Sequence, residues 1–329
     1  MATKPISMHL VTGDDYYQQL LTTIPHAKKR IVLAAMVVLS GKQTDRIFAL
    51  LRDAAQRGVP VTIMVDNYSR LKSVHSGTLD MSVAQRIAHT FTTLAALEAV
   101  GATVHYFGKV RVLNPFKGRC HVKITVVDDD FYCFGGINFT DESFQNIDYM
   151  FHGAHPRLAD RLEQLVARIG TIQPPLPDDD LPLGSTQHLL FDGGKPDDSI
   201  IYDQACELAS QAIRVLYVSQ TAPSGRLAEL LHGTDSTCYF NRPLQMQLPG
   251  RYAQAFDQQR WRTPNHYTGT RYIHAKFMLC ELPGGRKAVL SGSNNFSYRG
   301  VAFGTQEIAL YSTEPSHYHQ LRAFARTHM

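Results

Sequence analysis

One ordered set of polar residues occurs twice in this chain, and that duplication constrains the fold more than any other feature. The first set opens with His121-Val122-Lys123, reaches an acid at Asp128, passes through Gly135-Gly136-Ile137-Asn138 and closes on a second acid, Asp148. The second opens with His274-Ala275-Lys276, reaches Glu281, passes through Gly292-Ser293-Asn294-Asn295 and closes on Glu307. Asn138 follows His121 by 17 residues and Asn295 follows His274 by 21. The extra length falls at Leu282-Pro283-Gly284-Gly285-Arg286, a turn signal that only lengthens a hairpin. Repetition at this level points to two similar halves that bring matching chemistry.

The periodicity around the motifs agrees. Apolar residues at helical spacing over 16–25, 45–56, 92–100 and 157–169 alternate with β-branched runs over 30–39, 59–65 and 103–107. The pattern then restarts, with a helix over 203–212, a strand over 214–219 and a helix over 226–231. This predicts an α/β class, each half a mixed sheet flanked by helices. Pro174, Pro175, Pro177 and Pro182, with Asp178-Asp179-Asp180 among them, cannot continue a helix or a central strand. The expected division is a first half over 1–172, a Pro/Asp-rich linker over 173–185 and a second half over 186–329, which suits about 150 residues per domain.

Strand geometry explains the spacing inside each motif. Side chains alternate between faces of a strand, so His121 and Lys123 share one face while Asp128 has the opposite parity. The same holds for His274 and Lys276 against Glu281. The histidines and lysines are therefore expected at a substrate, and Asp128 and Glu281 in structural roles. Two ammonium groups and the Asn138 and Asn295 amides make a donor cage for phosphate oxygens, with Gly136 and Ser293 beside them. One histidine can attack phosphorus while the other protonates the leaving oxygen and later activates the acceptor. A trailing carboxylate, Asp148 or Glu307, can hold each ring's other nitrogen and fix its tautomer. This chemistry needs no metal and no cofactor. Five scattered cysteines lack metal-ligand spacing and read as reduced thiols.

With these residues in view, the chain resembles the phospholipase D superfamily, whose mark is a duplicated His-x-Lys-x4-Asp followed by Gly-Gly/Ser-x-Asn. Glu281 departs from that pattern, standing where the family usually has Asp. The resemblance implies two α/β halves packed around one shared cleft and a covalent phosphohistidine, with His121 as nucleophile and His274 as acid/base. The Gly135-Gly136 variant and the two linked copies resemble bacterial cardiolipin-synthase-like phosphatidyltransferases. A phosphatidyltransferase or phospholipid hydrolase is thus expected; the alternative is a metal-independent endonuclease acting on DNA or RNA.

Charge bears on that choice. Lys plus Arg number 33 against 29 Asp plus Glu, a net +4, which is modest for a duplex-binding groove. The stretch 109–119 reads as a strand end and turn with alternate residues facing the core, or as a surface for a bilayer interface with anionic headgroups, and the aromatics among arginines over 251–272 suit a lipid mouth or nucleic-acid bases. No run approaches the roughly 20 apolar residues of a membrane span, and the N-terminus lacks a signal pattern. The expectation is a cytoplasmic protein that meets a phospholipid substrate, with transient membrane-surface binding, or nucleic acid under the alternative. Oligomeric state is not legible. His9, His152 and His155 read as ordinary surface or core residues.

Overall fold

A computed structural model of the chain describes residues 5–71, 81–109, 117–172, 174–246 and 250–329. Seven strands of the first half, β1 (His9–Thr12), β2 (Ile31–Ala35), β3 (Val61–Asp66), β4 (Thr103–Phe107), β5 (Ile124–Val127), β6 (Asp130–Cys133) and β7 (Tyr149–Ala154), form one sheet in the order β1-β7-β6-β5-β2-β3-β4. Parallel pairing joins β2 to β3 and β3 to β4, and the remaining pairs are antiparallel, which gives the mixed sheet. The helix Lys42–Gln56 makes the β2–β3 crossover and buries Ile47, Phe48, Leu51 and Ala54 along one stripe.

The second half repeats this plan. Its strands are β8 (Asp179–Pro182), β9 (Gln187–Asp192), β10 (Arg214–Val218), β11 (Asp235–Tyr239), β12 (Phe277–Glu281), β13 (Lys287–Gly292) and β14 (Glu307–Ser312), ordered β11-β10-β12-β13-β14-β9-β8. In chain order β9, β10, β11, β12, β13 and β14 correspond to β1, β2, β3, β5, β6 and β7. Residues 173–185, expected as a linker, contribute β8 to the second sheet. It pairs with β9 alone and is largely exposed, an edge position that tolerates the terminal Pro182. Gln173 lies outside the described residues. The helix expected over 92–100 begins earlier, at Met81, because Val83, Ile87 and Phe91 extend its apolar spacing.

One apolar cluster joins the halves. It gathers Phe134, Tyr149 and Phe151 with Phe277, Leu310 and Phe324, and includes the helices Pro156–Thr171 and Pro315–His328 that close each half. The Tyr149 ring meets Phe277 and Phe324 edge-on, at 5.9 and 5.2 Å. Burying such side chains contributes about 1.5–3 kcal/mol each, so the halves share their core rather than touching at a surface. Polar ties follow the same seam: Ser291 Oγ donates to the Phe134 carbonyl (2.7 Å), and the Ile6 N–H donates to Gln187 Oε1 (2.8 Å).

Asp128 stands outside the seam, at φ +55° in the β5–β6 turn. Its carboxylate accepts the backbone N–H groups of Lys28 (3.0 Å), Lys29 (2.6 Å) and Arg30 (3.2 Å), tying that turn to the segment that enters β2. Partial burial pushes its pKa up, but these three donors outweigh it and hold the group below the usual carboxylate range. Glu281 ends β12 and accepts instead from Tyr318 Oη (3.0 Å), Arg322 (3.3 Å) and Arg214 (3.1 Å). Asp128→Asn is expected to cost about 2 kcal/mol in denaturant unfolding and to leave turnover per folded molecule intact. Lost turnover at unchanged stability would give Asp128 a different role.

Candidate active site

Each motif histidine lies three residues ahead of a central strand, His121 before β5 and His274 before β12. Backbone pairing then locks each to the opposite half. The His121 N–H donates to the Gln306 carbonyl and the Gln306 N–H to the Arg119 carbonyl, both at 2.8 Å. Reciprocally, the Ile147 N–H donates to the Tyr272 carbonyl and the His274 N–H to the Ile147 carbonyl, both at 2.9 Å. Gln306 and Ile147 immediately precede Glu307 and Asp148. The bridges therefore deliver the closing acid of each motif to the histidine of the other.

The side chains complete this exchange. His121 Nδ1 lies 3.0 and 3.1 Å from the two Glu307 oxygens, and His274 Nδ1 lies 2.6 Å from Asp148 Oδ2. All four groups are buried. An ionised carboxylate only accepts, so each ring donates from Nδ1 and carries its lone pair on Nε2. Burial pushes both imidazoles below their ordinary pKa, His274 down to about 3, and the lysines add to this while the paired carboxylates oppose it. Burial raises Glu307, but His121, Lys123 and Ser293 bring it below the usual carboxylate range.

Lys123 and Lys276 are buried beside the rings. Lys123 Nζ donates to the His121 carbonyl at 2.5 Å, and Lys276 Nζ donates to the His274 carbonyl. Desolvation pushes their ammonium groups down, Lys123 to about 7 and Lys276 to about 8, against the pull of Glu307 and Asp148. The field of Lys276 reaches His121 and that of Lys123 reaches His274, so the two motifs form one electrostatic unit.

Four residues were expected on the phosphate. Asn138 Oδ1 accepts the Val37 N–H (3.2 Å), the main-chain carbonyl of Asn295 accepts Ser219 Oγ (3.0 Å) while its buried Oδ1 has no partner among the described residues, and neither amide nitrogen has one there. Those donors are free to meet an anion. Gly136 and Ser293 are placed differently, each holding the closing acid of its own motif. The Gly136 N–H donates to Asp148 Oδ1 (3.2 Å), where the Tyr149 N–H joins it (2.9 Å), and the Ser293 hydroxyl donates to Glu307. A Cβ on Gly136 would lie 2.6 Å from the His274 carbonyl and 2.8 Å from the Asp148 carboxylate, so packing requires glycine there. The Gly/Ser difference between the motifs thus reports how each acid is held.

Sequence reasoning missed Asp66. Asp66 ends β3 fully buried, accepting Arg119 Nη1 (2.9 Å) and the Cys120 N–H (2.7 Å), and so braces the residues that lead into His121. Burial raises its carboxyl to about 6, against the pull of Arg119. Arg119, the last cation of the stretch 109–119, is buried in this pair rather than presented to a bilayer; 110–116, the middle of that stretch, lie outside the described residues. An acid at the C-terminal end of a parallel strand was the signal available. His155, by contrast, caps the helix Pro156–Thr171 by accepting the Leu158 N–H (3.2 Å).

Comparison with known proteins fits this geometry. Residues 20–169 match the family described as cardiolipin synthase, PLD-like domain. Cardiolipin synthase B of Salmonella typhi is 28% identical over 165 residues, 47% of this chain and 36% of that protein. That of Escherichia coli strain K12 is 29% identical over 138 residues, 40% of this chain and 29% of that protein. The chain thus spans about a third of the length of these relatives. Phosphatidylserine synthase of Haemophilus influenzae Rd KW20 has the same fold, with TM-score 0.68 over all of this chain and 86% of that one, at 13% identity. Polyphosphate kinase from Porphyromonas gingivalis gives TM-score 0.59 over 96% of this chain and 49% of that one, at 12% identity. Over residues 20–169 the chain is thus similar to the cardiolipin synthase, PLD-like domain family, and its two matched α/β halves, with a His-x-Lys motif in each, share the fold of phosphatidylserine synthase.

Proposed function

We propose that this protein is a phosphatidyltransferase that cleaves a phospholipid phosphodiester by double displacement at His121 and His274. One observation carries the reading: two buried histidine–carboxylate pairs, each built from both halves, lie within the field of two buried lysines. His121 Nε2 attacks phosphorus and the P–O bond to the leaving alcohol breaks, its oxygen taking a proton from His274. An acceptor alcohol then gives its proton to His274 and attacks, and the N–P bond breaks to release His121. Lys123, Lys276 and the Asn138 and Asn295 amides hold the phosphoryl oxygens through both steps.

Protonation follows from charge. Burial keeps both rings neutral at pH 7 in the free protein, which suits a nucleophile. A bound phosphodiester anion raises the imidazole pKa values, so His274 gains its proton as substrate arrives. Transfer outruns hydrolysis when a buried site lets an alcohol displace water. The lipid side of the reading draws support from the cardiolipin synthase B relatives, from the family match over 20–169 and from the modest charge of +4.

The test supplies phosphatidylglycerol vesicles, single-stranded DNA and duplex DNA separately, with EDTA throughout and a His274→Ala control. Cardiolipin or phosphatidic acid formed by wild type alone is the expected result, and their ratio separates transfer from hydrolysis. Cut DNA beside untouched lipid would replace the reading with the endonuclease.

A further inference from the structure

Polarity is inverted in one stretch of the second half. Five arginines, Arg242, Arg251, Arg260, Arg262 and Arg271, stand between 242 and 271 against a single acid, Asp257, so this stretch alone matches the +4 of the whole chain. Asp257 is itself buried and paired with Arg299 at 2.7 Å. The helix Gly250–Trp261 turns its polar residues inward: beside Asp257, Gln254 accepts the Ala222 N–H (3.1 Å) and donates to the Asn241 carbonyl (2.8 Å). Facing out, one turn apart, are Tyr252, 71% exposed, and Phe256, 58% exposed. Leu244, 81% exposed, sits on the short turn Pro243–Gln245 that packs against this helix. These are three of the six large apolar side chains left exposed among the described residues.

An apolar ridge fringed by cations marks a surface that meets something other than water. It is also continuous with the active site. Met246, the residue after the turn, accepts a hydrogen bond from Tyr272 Oη at 3.5 Å, and the Tyr272 ring stacks over His274 with centroids 6.4 Å apart and planes 26° apart.

We infer that Leu244, Tyr252 and Phe256 form a wedge that docks on an anionic phospholipid bilayer, with the surrounding arginines on headgroup phosphates, and so presents the His274 side of the site to lipid. The inference rests on the proposed lipid substrate. Aromatic and aliphatic side chains with arginine at their rim match the chemistry of a bilayer interface. A nucleic-acid surface fits less well, because Leu244, more exposed than either ring, offers no face for a base to stack on.

The experiment compares wild type with a Leu244→Ser/Tyr252→Ser/Phe256→Ser variant. Each is sedimented with phosphatidylglycerol/phosphatidylcholine vesicles and with phosphatidylcholine vesicles, and assayed on vesicles and on monomeric short-chain phosphatidylglycerol. Wild type is expected to sediment with the anionic vesicles only, and the variant to lose at least about tenfold in that binding and in vesicle turnover. Its short-chain turnover should match wild type. Arg260→Glu/Arg262→Glu, at two exposed positions, should weaken anionic-vesicle binding similarly, with thermal unfolding checked to match wild type. Wild type that fails to sediment, or variants that sediment as it does, would overturn the docking surface. Loss of single-stranded DNA retention with vesicle binding unchanged would assign the ridge to nucleic acid instead. If wild type sediments yet turns over neither lipid form, the proposed function fails while the docking result stands.

Discussion

His121→Ala is expected to lower phosphodiester turnover by about a thousandfold or more, and His274→Ala to do so by a different route. Without His121 no nitrogen lone pair reaches phosphorus. Without His274 the attack survives, but the departing alkoxide has no proton donor. A p-nitrophenyl phosphodiester separates the two, because p-nitrophenolate leaves without protonation. With that substrate His274→Ala should release one equivalent of p-nitrophenol in a burst and stall as a phosphohistidine at His121. His121→Ala should show neither burst nor label. Label on His274 in the wild-type protein would reverse the assignment, and unchanged turnover in His121→Ala would remove the histidine mechanism altogether. The pH profile follows from the same groups. Both rings are held below their ordinary pKa of 6.5, so protonation removes the His121 nucleophile only below pH 6.5, and because His274 takes up its proton with the substrate, kcat/KM should decline steadily as pH rises above that. The decline should steepen past about 7 to 8, where Lys123 and Lys276 lose the charge that holds the phosphoryl group.

What the sequence discloses here is what strand geometry makes local. The parity of His121 and Lys123 against Asp128, and the repeat of that pattern at His274, follow from the alternation of side chains along β5 and β12, so the motif residues and the two-half α/β plan were legible. Which acid serves which histidine was not. That depends on the register of Gln306 beside Cys120 and of Ile147 beside Ile273, pairings between halves that no local spacing encodes. Ser293 and Gly136 were misplaced for a related reason: a short polar or small residue beside an asparagine reads as an anion ligand until the buried carboxylate that claims it is seen. Two readings of Arg119, facing the core or meeting a bilayer, stayed open because its partner Asp66 lies 53 residues earlier, at the end of another strand. Proline argued for a linker over 173–185, yet an edge strand tolerates Pro182, so β8 formed within that stretch.

The exchange of acids between halves makes a prediction that local reading would have reversed. Glu307→Gln, 186 residues from His121, should disable His121, and Asp148→Asn should disable His274. In each case an amide replaces an acceptor-only carboxylate and can present N–H to Nδ1. That favours the tautomer with its proton on Nε2, facing the substrate. On His121 this tautomer has no lone pair for phosphorus, so Glu307→Gln should lose about a thousandfold in kcat and form no phosphohistidine with the p-nitrophenyl substrate. On His274 the amide no longer supports the imidazolium that protonates the leaving oxygen and takes up the acceptor's proton. Asp148→Asn should therefore lose a comparable factor on phospholipid, yet still give the p-nitrophenol burst and accumulate label at His121, as His274→Ala does. Because each acid acts through its ring, His274→Ala/Asp148→Asn should be little slower than His274→Ala alone. The opposite pattern, with Asp148→Asn blocking the label and Glu307→Gln accumulating it, would mean that each acid serves the histidine of its own motif. It would contradict the pairing of His121 with Glu307 on which the site is built.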